Sequence, residues 1–262
     1  MPLLTIDKTG PMSWDFYVSE RDEFLGSINF EKIDLEKRTC HLNWAVSEAD
    51  GVFEEYLEAF RFATEFALFE RNMSKVHTFC DLEDEASKRI YAEIGYLVGR
   101  DFSIGKMRSR RFSCDRYDFV RAVAETQMAE HLDMELWSFG WDSAKKRLGV
   151  CKYDQHLISL SRYFVDLHTI QQIDQVMRHE IAHALAGPKA GHGPKWKKIA
   201  TDIGYEHKKI SGDEIGNATA KLIGTCPNGH VVYRHRQPKS PLSCSRCAPR
   251  FDRNYLITWT RR

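Results

Sequence analysis

Three observations predict an α+β protein built from several domains. Short apolar strands alternate with amphipathic helices over residues 1–118, which is the pattern of an α/β layer. A longer helical segment near the middle of the chain carries two histidines and a glutamate among apolar residues. Cysteines and a histidine cluster near the C-terminus, in a segment too short to form a hydrophobic core of its own. We therefore divide the chain into residues 1–118, 119–216 and 217–262.

The length of 262 residues suits one or two domains of ordinary size, and the charge is unevenly distributed. Lysine and arginine number 11 against 21 aspartates and glutamates in residues 1–104, and 16 against 12 in residues 105–204. In residues 205–262 the numbers are 11 against 4. The basic C-terminal part suits contact with a polyanion or, alternatively, a well solvated surface.

Neither a signal peptide nor a membrane span is predicted, because no run of 18 apolar residues occurs and no apolar run follows a basic N-terminus. We expect a cytoplasmic protein with no membrane partner. Four of the seven cysteines are scattered singly, which suits reduced, buried thiols rather than a disulfide framework. These are Cys40, Cys80, Cys114 and Cys151.

Residues 1–118 are predicted to fold as a strand meander followed by helices and further strands. The predicted strands cover residues 16–18, 24–30, 40–46, 75–80 and 116–120. The predicted helices cover residues 52–71 and 84–94, and the first of them repeats phenylalanine at helical spacing.

The stretch KVHTFCDLED followed by EASKRIYAEIGYLVGRDFSIGK resembles the C-terminal half of the Gcn5-related N-acetyltransferases (GNAT), most closely those that acetylate ribosomal proteins. The resemblance implies a GNAT-like α/β domain. In that family a glycine-rich loop presents backbone N–H groups to the pyrophosphate of acetyl-CoA. Residues 47–55 occupy this place with one glycine and four carboxylates, which repel a pyrophosphate. Residues 1–118 also leave no room for the family's first strand and two helices.

Tyr91 matches the position where many GNAT relatives place a general acid, whereas a tyrosine on a short helix more often packs in a core. We expect a truncated, divergent domain that binds no acetyl-CoA and serves as a binding or scaffolding module. The alternative is an active N-acetyltransferase domain, which would make the protein bifunctional.

The sequence HEIAH, which begins at His179, is an HExxH motif. Residues four apart lie on one face of a helix, so His179 and His183 can direct their imidazoles at one metal ion. In the metzincin spacing a third histidine falls at position 189, which is Lys189 here. The nearest histidine is His192, which lies between glycines after a Gly-Pro pair that ends the helix. We therefore predict His192 as the third ligand.

A carboxylate from the following segment, Asp202 or Glu206, is the alternative third ligand. Three protein ligands suit a catalytic Zn²⁺ whose fourth position takes a water, and the ion lowers the pKa of that water towards about 7. Glu180 lies between the histidines and is predicted to take the water's proton and return it to the leaving amine. A helix without metal is the competing interpretation, but burying these polar groups without a ligand is costly.

HEIAHALAGPKAGHGPKW and the preceding LWSFGWDSAKKRLGVCKYDQHLISLS resemble the SprT-like (Spartan-related) zinc metallopeptidases. The best-known eukaryotic relative in this family is a DNA-dependent protease of DNA–protein crosslink repair. The resemblance covers residues 121–216 and implies a zincin-type α+β fold. It also implies that His179, His183 and His192 bind zinc and that Glu180 is the catalytic acid/base.

Around the motif the sequence predicts a helix over residues 119–136 and three strands. Residues 137–141 and 148–151 are predicted to pair as a hairpin, and residues 156–161 form the third strand. We place this third strand at the sheet edge beside the site, where an extended substrate adds as a further strand.

The C-terminal segment contains Cys226 and His230, followed by Cys244 and Cys247. The second pair has the CxxC spacing with which two thiolates bind one ion from a tight knuckle. In the first pair an imidazole replaces one thiolate. Together the four residues predict a closed, structural Cys₃His zinc site, in a zinc ribbon whose folding depends on the metal.

Strands of the ribbon are predicted at residues 231–234 and 255–259. Basic residues crowd this segment beside Tyr233, Tyr255 and Trp259. Proteins bind single-stranded nucleic acid by neutralising phosphates and stacking on bases, so we expect DNA, preferably single-stranded, as a partner. Solubility alone is the competing explanation for the charges.

These features predict a zinc-dependent endopeptidase that hydrolyses peptide bonds of protein substrates, DNA-bound proteins among them. One catalytic and one structural Zn²⁺ are expected. The alternatives are a nucleic-acid-binding adaptor whose peptidase fold has lost turnover, and a bifunctional protein with N-acetyltransferase activity.

Overall fold

The computed structural model describes residues 3–46, 52–208 and 210–262. Residues 47–51, which belong to the acidic segment expected to repel the pyrophosphate of acetyl-CoA, lie outside the described residues. The described chain forms one seven-stranded and two three-stranded sheets together with helices, which confirms the predicted α+β class. Over these ranges no helix combines the length and the apolar character needed to cross a bilayer.

The N-terminal region is a seven-stranded sheet with two helices. Its strands are β1 (Leu4–Gly10), β2 (Ser13–Val18), β3 (Glu23–Asp34), β4 (Thr39–Val46), β5 (Lys75–Asp81), β6 (Leu97–Ile104) and β7 (Met107–Asp115). Its helices are α1 (Phe53–Glu65), which continues as a π-helical turn (Phe66–Glu70), and α2 (Glu85–Ile94). The spatial order is β1-β2-β3-β4-β5-β7-β6. All pairs are antiparallel except β4 with β5, because α1 crosses over between these two strands.

Helix α3 (Arg116–Ala129) follows β7 directly, so the predicted strand over residues 116–120 is wrong. The Asp115 carboxylate accepts the backbone N–H groups of Tyr117 and Asp118 at 2.9 and 3.0 Å. In return the Asp118 carboxylate accepts the backbone N–H of Asp115 at 3.2 Å. This capping box stabilises a helix start in a segment whose aromatic and β-branched residues favour a strand.

The region around the HExxH motif combines a small sheet with four helices. The strands are β8 (Ser138–Asp142), β9 (Gly149–Lys152) and β10 (Leu157–Ser161), in the order β8-β10-β9. The helices are α4 (Arg162–Leu167), α5 (Ile170–Ala186), α6 (Pro194–Asp202) and α7 (Asp213–Ala218).

The predicted hairpin of β8 with β9 is wrong, because β10 lies between them, parallel to β8 and antiparallel to β9. Its residues 158–161 are all buried, which is typical of a central strand. After β8 the chain turns away, since the Asp142 carboxylate accepts hydrogen bonds from Arg147, from the Ser159 hydroxyl and from the backbone N–H of residue 144. The two edge strands are therefore β8 and β9, and the prediction that the third strand lies at the edge is wrong.

The N-terminal sheet and the α5 region share one hydrophobic core. Phe16 of β2, Phe119 of α3 and Met177 of α5 all belong to the same cluster of buried side chains. The Arg116 guanidinium joins the two regions, because it donates to the carbonyl oxygens of Leu68 at 2.7 Å and of residues 165 and 166 at 3.1 Å. Helix α5 is therefore held against a large, well packed support.

The C-terminal segment forms a three-stranded antiparallel sheet. Its strands are β11 (Leu222–Thr225), β12 (Val231–Arg234) and β13 (Thr258–Arg261), in the order β12-β11-β13. The predicted strand at 231–234 coincides with β12. The last strand begins later than predicted, because Arg253–Tyr255 form a 3₁₀ turn in which the Asp252 carboxylate accepts the N–H of Asn254.

Candidate metal centres and catalytic site

Helix α5 carries the motif histidines on one face and packs its other face into the core. The helix begins at a capping box, in which Thr169 and Gln172 exchange side-chain and backbone hydrogen bonds of 3.1 and 3.3 Å. It ends at Gly187, whose φ of +86° favours glycine. Ile173, Met177 and others on the opposite face are buried. The local sequence therefore determines both the length and the orientation of this helix.

The turn between α5 and α6 brings His192 back over the motif. The Lys195 ammonium donates to the carbonyl oxygen of Ala186 at 2.7 Å and so holds the start of α6 against the end of α5. The Nε2 atoms of His179 and His183 are 3.2 Å apart, and the Nε2 atom of His192 lies 3.2 and 3.1 Å from them. The three predicted ligands thus converge on one point.

This arrangement fits a Zn²⁺ ion. Tetrahedral coordination with Zn–N distances of about 2.0–2.1 Å places two ligand nitrogens about 3.3–3.4 Å apart, close to the distances found. Burial, together with the neighbouring histidines, lowers the pKa of His179 and of His183 to about 4, so both imidazoles are in the neutral form that binds metal. The buried Trp196 ring packs against all three histidine rings, with centroids 4.6–5.3 Å away.

The alternative carboxylate ligands do not join this cluster. Asp202 pairs with Lys198 at 2.6 Å, and Glu206 pairs with Lys208 at 2.6 Å. Among the described residues, the histidine cluster and the C-terminal cysteine cluster are the groups whose geometry suits a metal. The assignment of His192 as third ligand is therefore the one that the geometry favours.

Glu180 lies beside the histidine cluster in a buried position, with 7 % of its surface exposed. Burial raises the pKa of its carboxyl group to about 7, while a hydrogen bond from the backbone N–H of Cys151 on β9 opposes that shift. The backbone of Gly149 also lies against this side chain: a β-carbon built there would be 3.1 Å from Glu180 Oε1. The edge strand β9 thus positions the predicted acid/base.

A small cleft of 180 Å³ opens at this point between β9 and α5. Its lining residues are Leu148, Gly149, Val176, His179, Glu180, Tyr205 and Ile210. Burial and the charge of Glu180 both raise the pKa of Tyr205. A second tyrosine, Tyr153, donates its hydroxyl to the backbone carbonyl of His183 at 3.0 Å. Neither tyrosine was predicted, because no local spacing connects them to the motif.

The four predicted ligands of the ribbon also converge. The Sγ atoms of Cys226 and Cys247 are 3.8 Å apart, and the His230 Nδ1 atom lies 3.2–3.6 Å from the sulfurs of Cys226, Cys244 and Cys247. For tetrahedral zinc with bonds of about 2.3 Å to sulfur and about 2.0 Å to nitrogen, the expected separations are about 3.8 and 3.5 Å. The residues therefore fit a structural zinc ion, with His230 contributing Nδ1.

In the N-terminal region, Tyr91 and the start of α1 are the two features that the GNAT resemblance connects with acetyl transfer. Both make contacts within the chain itself. The Tyr91 hydroxyl is buried and lies 3.4 Å from the carbonyl oxygen of Phe79, and burial raises its pKa to about 12. At the start of α1, the buried Glu55 carboxylate accepts the backbone N–H of Val52 at 3.0 Å and contacts Arg21 at 3.4 Å. A carboxylate of the chain's own first turn thus accepts the N–H of the residue that precedes α1.

The geometry described above agrees with the comparison to known families. Residues 119–215 match the SprT-like family. This match contains the histidine cluster, Glu180 and the β8–β10 sheet, and it ends before the ribbon. The expected SprT-like resemblance is therefore confirmed for this region. The comparison with curated proteins gave no match.

Several solved structures that are similar to part of this chain are N-acetyltransferases. A variant of the spermidine N-acetyltransferase SpeG from Vibrio cholerae is 12 % identical, with a TM-score of 0.37, and the similarity covers 41 % of this chain and 65 % of that one. The N-terminal domain of a ribosomal-protein-alanine acetyltransferase from Clostridium acetobutylicum is 13 % identical, covering 45 % and 95 %, with a TM-score of 0.38. A GNAT-family acetyltransferase from Bacillus anthracis is 16 % identical, covering 40 % and 66 %, with a TM-score of 0.35.

Proposed function

We propose that the SprT-like region is a zinc-dependent endopeptidase that cuts protein substrates. The convergence of three imidazole Nε2 atoms within 3.2 Å of one another, beside a buried glutamate on the same helix, carries this proposal. The match of residues 119–215 to the SprT-like family supports it.

His179, His183 and His192 would hold the zinc ion, which supplies a Lewis acid for the scissile carbonyl and a lowered pKa for bound water. The Glu180 carboxylate accepts a proton from the attacking water as its oxygen bonds to the carbonyl carbon. The same carboxyl group then delivers a proton to the amide nitrogen as the C–N bond breaks. The buried setting of Glu180 suits both roles, because it raises the pKa of this group towards neutrality.

The substrate is proposed to bind as an extended strand along β9. This strand lies at the edge of its sheet and runs beside Glu180, since a β-carbon built at Gly149 would lie 3.1 Å from Glu180 Oε1. A strand added at this edge gains main-chain hydrogen bonds that do not depend on the substrate's side chains. Recognition through the backbone suits an endopeptidase of broad specificity.

Gly149→Ala is expected to lower kcat about 10-fold or more, because a misplaced catalytic group costs rate steeply. The added methyl group would lie 3.0–3.1 Å from Leu160 Cδ2 and from the Cγ and Oε1 atoms of Glu180, so the carboxylate has to move. Steady-state cleavage of a quenched fluorescent peptide measures the effect. Gly216→Ala is the matched control, since open space surrounds that position. Equal kcat in the two variants would show that β9 does not position Glu180.

The C-terminal ribbon is proposed to bind single-stranded DNA and to bring DNA-bound proteins to the cleft. Its exposed basic side chains include Arg234, Arg236, Lys239, Arg246, Arg250, Arg253, Arg261 and Arg262. The Arg234 guanidinium lies 5.9 Å from the centre of the Trp259 ring, and Tyr233 is 38 % exposed. A cleft of 630 Å³ between the ribbon and the β8–β9 connection is lined by Lys145, Lys146 and His235. Phosphate neutralisation and stacking are both available on this surface.

The experiment that tests the function is cleavage of a basic DNA-binding protein by the purified, zinc-loaded chain, with and without single-stranded DNA. New N-termini identified by mass spectrometry that disappear with a zinc chelator would support the endopeptidase. DNA-dependent cleavage would also support the role of the ribbon. DNA binding without any cleavage would instead favour a non-catalytic adaptor.

A further inference from the structure

Hydrogen bonds hold the loop that follows α6 to α5, in the turn of α5 that precedes His179. The Arg178 guanidinium donates to the carbonyl oxygen of Ile203, and Asp174 holds that guanidinium with two bonds of 2.8 and 3.0 Å. The Gln175 side chain donates to the carbonyl oxygen of residue 204 at 3.3 Å and accepts the N–H of residue 206 at 2.8 Å. Residues on both sides of Tyr205 are therefore held rigidly to the helix that carries the motif.

These hydrogen bonds place the Tyr205 ring against the histidine cluster. Its centroid lies 5.3 Å from that of His179 and 5.7 Å from that of Trp196. The ring lines the same small cleft as Gly149 and Glu180. Within the described ranges of the chain, the Tyr205 hydroxyl has no hydrogen-bond partner. A tyrosine held in place on both sides thus lines the cleft with its hydroxyl unbonded.

Attack on an amide carbonyl turns the carbonyl oxygen into an oxyanion, which is stabilised by a hydrogen-bond donor already in place. Glu180 acts as the acceptor of the water's proton and does not serve as that donor. Of the other donors near the cleft, the Tyr153 hydroxyl is bonded to the carbonyl of His183, and the Arg147 guanidinium is bonded to Asp142. Tyr205 is a side-chain donor in the lining of the cleft whose hydroxyl, within the described ranges, has no partner.

We propose that Tyr205 is a further catalytic residue, whose phenol O–H donates a hydrogen bond to the scissile carbonyl oxygen as negative charge develops there. The proposal rests on the endopeptidase function proposed above. The phenol keeps its proton throughout, so the bond strengthens in the transition state without a further proton transfer. Gln175 and Arg178 of α5 position Tyr205 through the flanking backbone, and they need not touch the substrate.

Tyr205→Phe tests this role, because phenylalanine keeps the ring packing and removes only the hydroxyl. Loss of one oxyanion donor typically lowers kcat by about 10²–10³-fold, and KM is expected to stay within about twofold. Zinc affinity and the thermal unfolding midpoint are expected to match those of the unaltered chain. Tyr163→Phe is the matched control. Tyr163 lies on α4, where the Lys145 ammonium lies over its ring, and it is not part of the cleft lining. Loss of its hydroxyl should leave kcat unchanged.

A second readout separates this proposal from the proposed function. A phosphinic peptide mimics the tetrahedral oxyanion, and calorimetry on the zinc-loaded full chain measures its Kd without turnover. At least 10-fold weaker binding by Tyr205→Phe, with unaltered zinc affinity, would support the donor role even if no protein substrate had been cleaved. Equal phosphinic-peptide binding and equal kcat would overturn it. Weaker zinc binding by Tyr205→Phe would also overturn the proposal, because Tyr205 would then act as a support for His179. Failure of the unaltered chain to bind the phosphinic peptide would overturn it too.

Discussion

Glu180→Gln is expected to lower kcat for peptide hydrolysis by about 10²–10⁴-fold, the range that general acid–base catalysis contributes. The amide cannot take up the water's proton, yet it has nearly the same shape as the carboxylate and keeps an acceptor oxygen. His179 and His183 keep their places on α5, so zinc content should stay unchanged. Cleavage rate and zinc content are measured on the same preparation.

The matched control for this substitution is Glu125→Gln, which changes a half-exposed carboxylate on α3 that pairs with Arg121. Surface pairs of this kind contribute little to stability, so neither cleavage nor zinc binding should change. Full activity in Glu180→Gln would contradict the assigned role. Loss of zinc together with activity would show that the effect comes from the metal site rather than from proton transfer.

Cys247→Ser is expected to unfold the C-terminal ribbon and to remove the structural zinc ion. Structural zinc binding supplies about 10–16 kcal/mol in small zinc domains, and this segment has little core to replace it. The large side chains of Val231, Tyr233 and Leu256 are 36–40 % exposed to solvent. The expected result is loss of one zinc ion per chain and rapid proteolysis after α7, while the region that precedes the ribbon stays folded.

Ser245→Ala provides the control, because it alters the same knuckle at an exposed position that is not a ligand. That variant should keep both zinc ions and resist proteolysis. In Cys247→Ser, cleavage of a short free peptide should persist, since the histidine cluster lies in a different part of the chain. Stimulation by single-stranded DNA should be lost. Retention of two zinc ions would refute the ligand assignment.

The candidate metal residues were accessible from the sequence because their spacing is local. An α-helix brings residues four apart to one face, so His179 and His183 had to lie together once the helix formed. A glycine that ends α5 and a proline that starts α6 leave a short connection, which makes His192 the nearest third ligand. Close cysteine spacing predicted the ribbon knuckles in the same way.

Sheet order was predicted less well, because strand pairing is decided by contacts between distant residues. The segment between β8 and β9 resembles a hairpin connection, but Asp142 ties it to Ser159 on the strand that separates them. The strand wrongly predicted at residues 116–120, where α3 begins, has a local cause, since the capping box at Asp115 outweighs strand propensity.

The sequence by itself determined which side chains form the two candidate metal centres, which helix carries the proposed acid/base Glu180, and the broad α+β class. Only the tertiary structure decided that β9 is the edge strand beside Glu180 and that Tyr205 reaches the cleft. The difference has one physical reason. Helix faces and tight knuckles follow from spacings of a few residues, whereas the cleft is assembled from β9, α5 and the loop after α6, whose approach depends on the shared core.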